Sequence, residues 1–255
     1  LVPSPTVSAT YFINDDPATP IVSLITDEDY LFNKKTGALV KGTGSIPNYD
    51  KELEYPINIE YFTGDGMCEI NQMGTFTCSG HSARINAQKS IALYARKAYG
   101  NDRFAFNPFP TRDYDSYKSI LLRAANSDTY ATRLRDIVAS SLAEGEGILY
   151  QDHVVIQVYI NGQYWGHYNL REKINKYFIA QYEGVTDEKF FFKVARGAFS
   201  QRRKTLSNSV SSSMGIDKSI VNQAIEQSDL PASVRPEALS MEQFITFSEA
   251  LRKLI

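Results

Sequence analysis

Apolar positions fall in short bounded runs along the N-terminal part of the chain and at helical spacing along the C-terminal part. Ile21-Val22-Ser23-Leu24-Ile25 has strand length, and Tyr55 to Phe62 alternates, with Ile57, Ile59 and Tyr61 on one face. Gly64-Asp65-Gly66 ends that run as a turn, and Thr75 to Cys78 returns as a strand. Ile91 to Tyr94 and Ile120 to Leu122 are further strands, each preceded by Lys-Ser. Asn107-Pro108-Phe109-Pro110 is a loop, because neither proline suits a helix interior. Two β-rich runs, Val154 to Ile160 and Tyr164 to Leu170, flank Asn161-Gly162. That dipeptide tolerates positive φ at both turn positions, so a type I′ hairpin is predicted.

Helical spacing predicts a helix over Asp128 to Leu142, capped by Asp128, with Leu134, Ile137, Val138 and Leu142 as its apolar stripe. A second runs from about Ile174 to Tyr182. Beyond Asp187 three more are predicted. The first covers Glu188 to Asn208, with Phe191, Ala195, Phe199 and Leu206 on one face. The second opens at an Asp217 cap. The third opens at Ser240-Met241-Glu242-Gln243, a capping box. The cluster Ser207 to Ser213 reads as a flexible loop. Tyrosines, dense up to Tyr182, then vanish, which sets a boundary near residue 187. The expected organisation is an entry linker over 1–20, an α+β lobe with a mixed or antiparallel sheet over 21–187, and a small all-α part over 188–255.

A length of 255 residues suits one large domain or two modest ones. Lys+Arg 27 against Asp+Glu 29 excludes a uniformly basic nucleic-acid binder but leaves room for a local basic patch. No run is long and apolar enough to span a bilayer, so no membrane partner is expected. The chain opens at Leu1 in a Pro/Ser-rich stretch, without an initiator Met or a leader, and reads as an excised piece. Cys68 and Cys78 are too few for a disulfide scaffold or a Cys-only zinc site. Their spacing would let them face each other across two antiparallel strands, as free thiols or as a disulfide.

Polar segments stand beside the predicted strands: Gly80-His81-Ser82-Ala83-Arg84, Gln88-Lys89-Ser90, Arg123, Arg135-Asp136 and Arg171-Glu172-Lys173. Taken singly, each reads as solvated charge, and Arg135-Asp136 as an ion pair within a helix. With Pro20-Ile21-Val22-Ser23-Leu24, Glu54 to Phe62, Leu93 to Gly100 and above all Tyr159 to Ile174, they resemble the spore-coat CotH kinase family of atypical, secreted protein kinases. The resemblance covers about residues 11–185. It implies ATP with Mg²⁺ or Mn²⁺ as cofactors, and a spore-coat or secreted protein as the Ser/Thr substrate. Phosphoryl transfer rests on positioning and on cations that neutralise phosphate. The family pattern places Lys89 toward the nucleotide phosphates, Glu172 as the carboxylate that orients it, and Arg84 and Arg123 as further nucleotide contacts. Gly80 to Arg84 stands where a glycine-rich loop is usual, without the usual Gly-Gly pair. Trp165 and Tyr168 read as hairpin core. The family's metal-holding carboxylates belong to a second, Asn- and Asp-rich lobe that does not follow here, so no metal ligand and no catalytic residue is assigned. The expectation is an incomplete kinase with weak or no turnover.

Gln201-Arg202-Arg203-Lys204-Thr205-Leu206, with Phe191 to Phe199, Gly215 to Lys218 and Arg235 to Ser240, resembles the C-terminal helical domain of the 16S rRNA adenine dimethyltransferases, over about residues 187–255. That resemblance implies rRNA as a partner, held by Arg202, Arg203 and Lys204 on an amphipathic helix. No glycine-rich S-adenosylmethionine loop and no Asn-Leu-Pro-Tyr-like segment occur, so methyl transfer is not expected. The two resemblances meet near residue 187 as in a chimera. The first implies a secreted or spore-associated protein, the second a cytoplasmic one. An uncovered kinase face would favour self-association.

Overall fold

The computed structural model describes residues 7–13, 17–125, 128 and 131–255. It divides into two compact units, Leu1–Ile174 and Asn175–Ile255. The division falls before the helix that precedes Asp187, ahead of the change in composition.

The first unit is built on a closed seven-stranded barrel. Its strands are β1 (Ile21–Ile25), β2 (Tyr55–Phe62), β3 (Cys68–Ser79), β4 (Ser90–Tyr94), β7 (Ser119–Arg123), β8 (His153–Ile160) and β9 (Gln163–Glu172). A separate two-stranded pair is formed by β5 (Phe104–Ala105) and β6 (Ser116–Tyr117). Around the barrel the order is β1-β2-β3-β4-β7-β9-β8. Neighbours run antiparallel except at the closing seam, where β1 pairs with β8 in parallel, Val22 opposite Val158. Alternation along each strand sends Leu24, Ile59, Phe76, Ile91, Leu122, Ile156 and Leu170 inward, and they fill the interior as a packed core. The ring of pairings closes, although Cys68 to Gly74 of β3 pairs with β2 alone and Gln163 to Tyr168 of β9 with β8 alone. Asn161 (φ 50°) and Gly162 (φ 78°) form the predicted tight turn between β8 and β9.

Within the stretch read as an entry linker, residues 1–6 and 14–16 lie outside the described residues. The remainder is tied to the barrel. Thr10 N donates to the buried Glu60 at 3.1 Å, and Phe12 packs edge-on against Phe62 at 5.1 Å. The two cysteines do not lie on facing strands. Both stand on β3, Cys68 opposite Phe62 and Cys78 opposite Ile91, and both are free.

Helix α1 spans Glu28–Phe32 and α2 only Arg135–Ser141. The predicted Asp128–Leu142 helix is therefore shorter, and residues 129–130 of it lie outside the described residues. Of its stripe only Ile137 is buried; Leu134, Val138 and Leu142 are exposed. Asp128 does not cap α2. Its carboxylate accepts from Thr132 Oγ1 at 2.7 Å and from Arg135 N at 3.2 Å, closing the turn ahead of the helix.

The second unit holds α3 (Lys176–Tyr182), α4 (Glu188–Ala198), α5 (Leu206–Met214), α6 (Lys218–Gln227) and α7 (Met241–Leu254). Phe191, Val194, Leu206, Val210, Val221, Ile225, Phe247 and Leu251 form its core. Two expectations are corrected here. The Glu188–Asn208 helix breaks after Ala198, because Thr205 starts a new helix by accepting the Asn208 N–H. The serine cluster is the body of α5 rather than a loop: Leu206 and Val210 bury one face and Ser207 and Ser209 pack beside them. The α7 capping box forms as predicted, Ser240 Oγ accepting from Gln243 N and Gln243 Oε1 from Ser240 N.

Candidate functional site

Lys89 stands just before β4 and shares the inward parity of Ile91 and Leu93. Only 7% of it is exposed. Its Nζ donates to the Asn86 carbonyl at 2.6 Å and lies 5.0 Å from the centre of the Tyr49 ring. Among the described residues no carboxylate pairs with it. Burial holds its pKa below the ordinary lysine value. The surrounding strand ends are fixed: Tyr168 OH donates to the Lys89 carbonyl at 2.9 Å, and Ser90 Oγ accepts from Ala124 N at 3.0 Å. Tyr168 is thus core, as read from the sequence, and Trp165 packs on Phe32 at 5.5 Å.

Arg84 lies on a short 3-10 turn, Ser82–Ile85, after Gly80. Its Nη1 reaches Asp50 at 3.5 Å, and its Nε is buried without a partner. Burial pushes the Cys78 thiol up, while Arg84 and then Lys89 pull it back, so both cations act on the same thiol at the barrel interior. His81 is exposed.

Glu172 does not orient Lys89. Leu93, Ile120 and Glu172 share one row across β4, β7 and β9. Lys89 is four residues back along β4, about 13 Å at ~3.3 Å per residue. The carboxylate, 1% exposed, is fully engaged elsewhere. It accepts from Arg112 Nη2 at 2.7 Å, from Arg112 Nε at 3.0 Å, from Asp152 N at 2.9 Å and from Tyr114 OH. Burial works against the Arg112 charge, but the hydrogen bonds it donates to Glu172 and the Glu172 charge outweigh burial and hold that pKa above the usual range. Burial and Glu172 together push the Tyr114 phenol up. This network pins the loop carrying Arg112 and the start of β8 to the end of β9.

Arg123 stands one step past the Ile91–Leu122 pair, across the sheet from Ser90, but its side chain is engaged elsewhere. It pairs with Asp136 of α2, and the same Asp136 oxygen takes Arg171 Nη1 at 3.0 Å. Arg135 and Asp136 are therefore not paired with each other; Arg135 Nε faces Asp128 at 3.3 Å. Of the four residues assigned to nucleotide, Glu172, Arg123 and Arg84 each have an ion-pair partner, while Lys89 has no carboxylate partner among the described residues.

A bound nucleotide would find in Lys89 and Arg84 two donors suited to phosphate oxygens. A metal finds no such set: among the described residues no three His, Cys, Asp or Glu side chains gather closely enough to hold one. Among the described residues, then, Lys89 and Arg84 carry donors of the kind phosphate oxygens accept, and no cluster of three His, Cys, Asp or Glu side chains is present for a Mg²⁺ or Mn²⁺ ion.

In the helical unit Arg202, Arg203 and Lys204 stand on the turn between α4 and α5, not on a helix. All three are exposed, and Arg203 takes a left-handed φ of 63°. The turn is anchored where Leu206 N donates to Val234 O at 2.8 Å, which brings Arg235 alongside.

A family model described as CotH kinase protein matches residues 76–244, and the chain belongs to that family. The match begins after β2, later than the resemblance read from the sequence, and runs across both units. The chain is also similar to the ribosomal RNA small subunit methyltransferase A of Streptococcus sanguinis, 46% identical over 71 residues, 27% of this chain and 24% of that protein. The protein of the same name from Bacillus mycoides is 43% identical over 70 residues, 26% and 24% of the two chains. The chain thus spans about a quarter of the length of these curated relatives.

Proposed function

We propose that this chain is the phosphate-facing part of a CotH-type atypical protein kinase, built to take ATP and pass its terminal phosphoryl group to protein Ser/Thr hydroxyls. The observation that carries this is Lys89, a buried ammonium that has no carboxylate partner among the described residues, on a rigid barrel with Arg84 nearby. An ammonium so placed costs stability until an anion reaches it. The described residues bring no carboxylate cluster to complete the transfer, so on their own they bind nucleotide weakly and turn over slowly or not at all.

Thermal unfolding with and without millimolar ATP tests this. A ligand at its own Kd stabilises by about 0.4 kcal/mol, a shift of a degree or two. Lys89→Met is expected to abolish that shift and to raise the ligand-free Tm at neutral pH. The sign follows from the depressed lysine pKa: the burial cost is present while Lys89 is protonated and fades as pH rises through its folded-state value. An ATP shift that Lys89→Met leaves intact would remove Lys89 from the site. Robust Mg²⁺- or Mn²⁺-dependent autophosphorylation would overturn the incompleteness.

A second reading, favoured by the basic turn, is that the helical unit contacts rRNA through Arg202, Arg203 and Lys204. From Lys189 to Lys204 the chain carries six cations and no carboxylate, within a chain whose formal net charge is -2. Filter binding of a small-subunit rRNA hairpin is expected to weaken with salt, and R202A/R203A to reduce the slope of log K against log salt by about 1–2. An unchanged slope would refute contact through these two residues.

A further inference from the structure

Phe199, the C-cap of α4, is 59% exposed although it belongs to the most apolar residue types. Its ring lies nearly parallel to that of the buried Phe244, at 6.1 Å and 22°. One side of the ring is therefore backed by the core of the helical unit and the rest faces water. Along α4, Lys193, Arg196 and Phe199 recur every three residues and all three are exposed, so they share one side of the helix. Arg202, Arg203 and Lys204 follow on the turn, and Arg235 stands beside it. Among the described residues none of Lys193, Arg196, Arg202, Arg203 and Lys204 is paired with a carboxylate. A rigidly backed aromatic face set in a stripe of unpaired cations is what a single-stranded nucleic acid needs: cations track the phosphates and the ring takes an unpaired base. A duplex offers no free base face, and an acidic peptide would have no use for the ring.

We propose that Phe199 is a stacking platform for an unpaired RNA base, whose flanking phosphates are held by Arg196, Arg202, Arg203 and Lys204. This rests on the RNA-binding reading of the helical unit and narrows it to single-stranded segments. Arg203 takes a left-handed φ of 63° within this turn without a glycine.

The test uses the full chain and a single-stranded ten-nucleotide RNA carrying one 2-aminopurine, with its blunt duplex as a second probe. The wild-type chain is expected to bind the single strand at least ten-fold more tightly than the duplex and to quench 2-aminopurine fluorescence. Phe199→Leu, which keeps an apolar cover on Phe244 but has no π face, is expected to lose about ten-fold in affinity and most of the quenching. Its salt slope stays as in the wild type, since the phosphate contacts remain. Phe199→Trp restores both affinity and quenching. R202A/R203A behaves differently, lowering the salt slope. If Phe199→Leu binds and quenches as the wild type does while R202A/R203A loses affinity, the stacking role is wrong and the RNA reading stands. If the wild type binds neither probe in a salt-sensitive way, both fall. Equal affinity for single strand and duplex overturns the stacking role as well.

Discussion

Replacing Glu172 with alanine is expected to destabilise the barrel by about 3–5 kcal/mol, the range for removing one partner of a buried ion pair. The loss is large because four donors converge on this carboxylate: two from Arg112, one from Tyr114 and one from Asp152 N. Alanine leaves all four pointing into a space that water reaches poorly, with the Arg112 side chain 7% exposed. An unpaired buried guanidinium is the main part of that cost, so Glu172→Gln, which keeps an acceptor but not the charge, should lose less. Replacing both charges with apolar residues of similar volume should recover most of the stability, since the penalty lies in the charge left behind rather than in the pair itself. Urea unfolding followed by near-UV tyrosine signal reads the change directly, because Tyr114 and Tyr150 both touch the pair. A Glu172→Ala chain that unfolds within about 1 kcal/mol of the wild type would show that the network is solvated and that the loop is held by something else. Because Glu172 lies on the far row of the barrel from Lys89, this variant should leave any ATP shift in the folded protein unchanged, which separates it from the lysine site.

Much of the barrel was legible strand by strand. Apolar alternation at Tyr55 to Phe62 and the Asn161-Gly162 turn are local signals, and both appear in the structure where the sequence places them. Closure was not legible. It depends on the parallel seam between β1 and β8, whose partners are more than a hundred residues apart and carry no mark of each other. The same blindness to register misled the pairing of Lys89 with Glu172. The family resemblance implies the pairing, but only the row on which each residue stands decides whether they can meet. Arg112 gave no signal at all, since it sits in a proline-bounded loop outside any periodic run. The break between α4 and α5 was readable in principle: Thr205 is an N-cap residue type in mid-run, and its hydroxyl accepts the Asn208 backbone N–H. Continuity of the apolar stripe from Phe191 through Leu206 hid it. The break converts a helical face of cations into a cationic turn.

Phe247→Ala is expected to cost the helical unit about 3–5 kcal/mol, the usual range for truncating a buried aromatic ring. Phe247 is 0% exposed on α7, in the core to which α4, α5 and α6 also contribute, and it lies edge-on to Phe244 at 6.3 Å. Alanine leaves a cavity of ring size. Helices fixed by short connections on several sides can close only part of it, so the cavity term adds to the lost transfer energy. Phe247→Leu, which keeps most of the volume, should cost about 1–1.5 kcal/mol. The loss should also reach the basic turn, because Leu206 and Val210, which root α5 and the turn before it, belong to the same core. Affinity for single-stranded RNA is then expected to fall in the alanine variant and to return when it is measured at low temperature, where the unit is folded. Helical ellipticity at 222 nm across a urea gradient, together with RNA binding at two temperatures, measures both effects. A Phe247→Ala chain whose helical signal unfolds at the wild-type midpoint would mean that the helices are not held together by this core, and would remove the rigid backing on which the Phe199 platform depends.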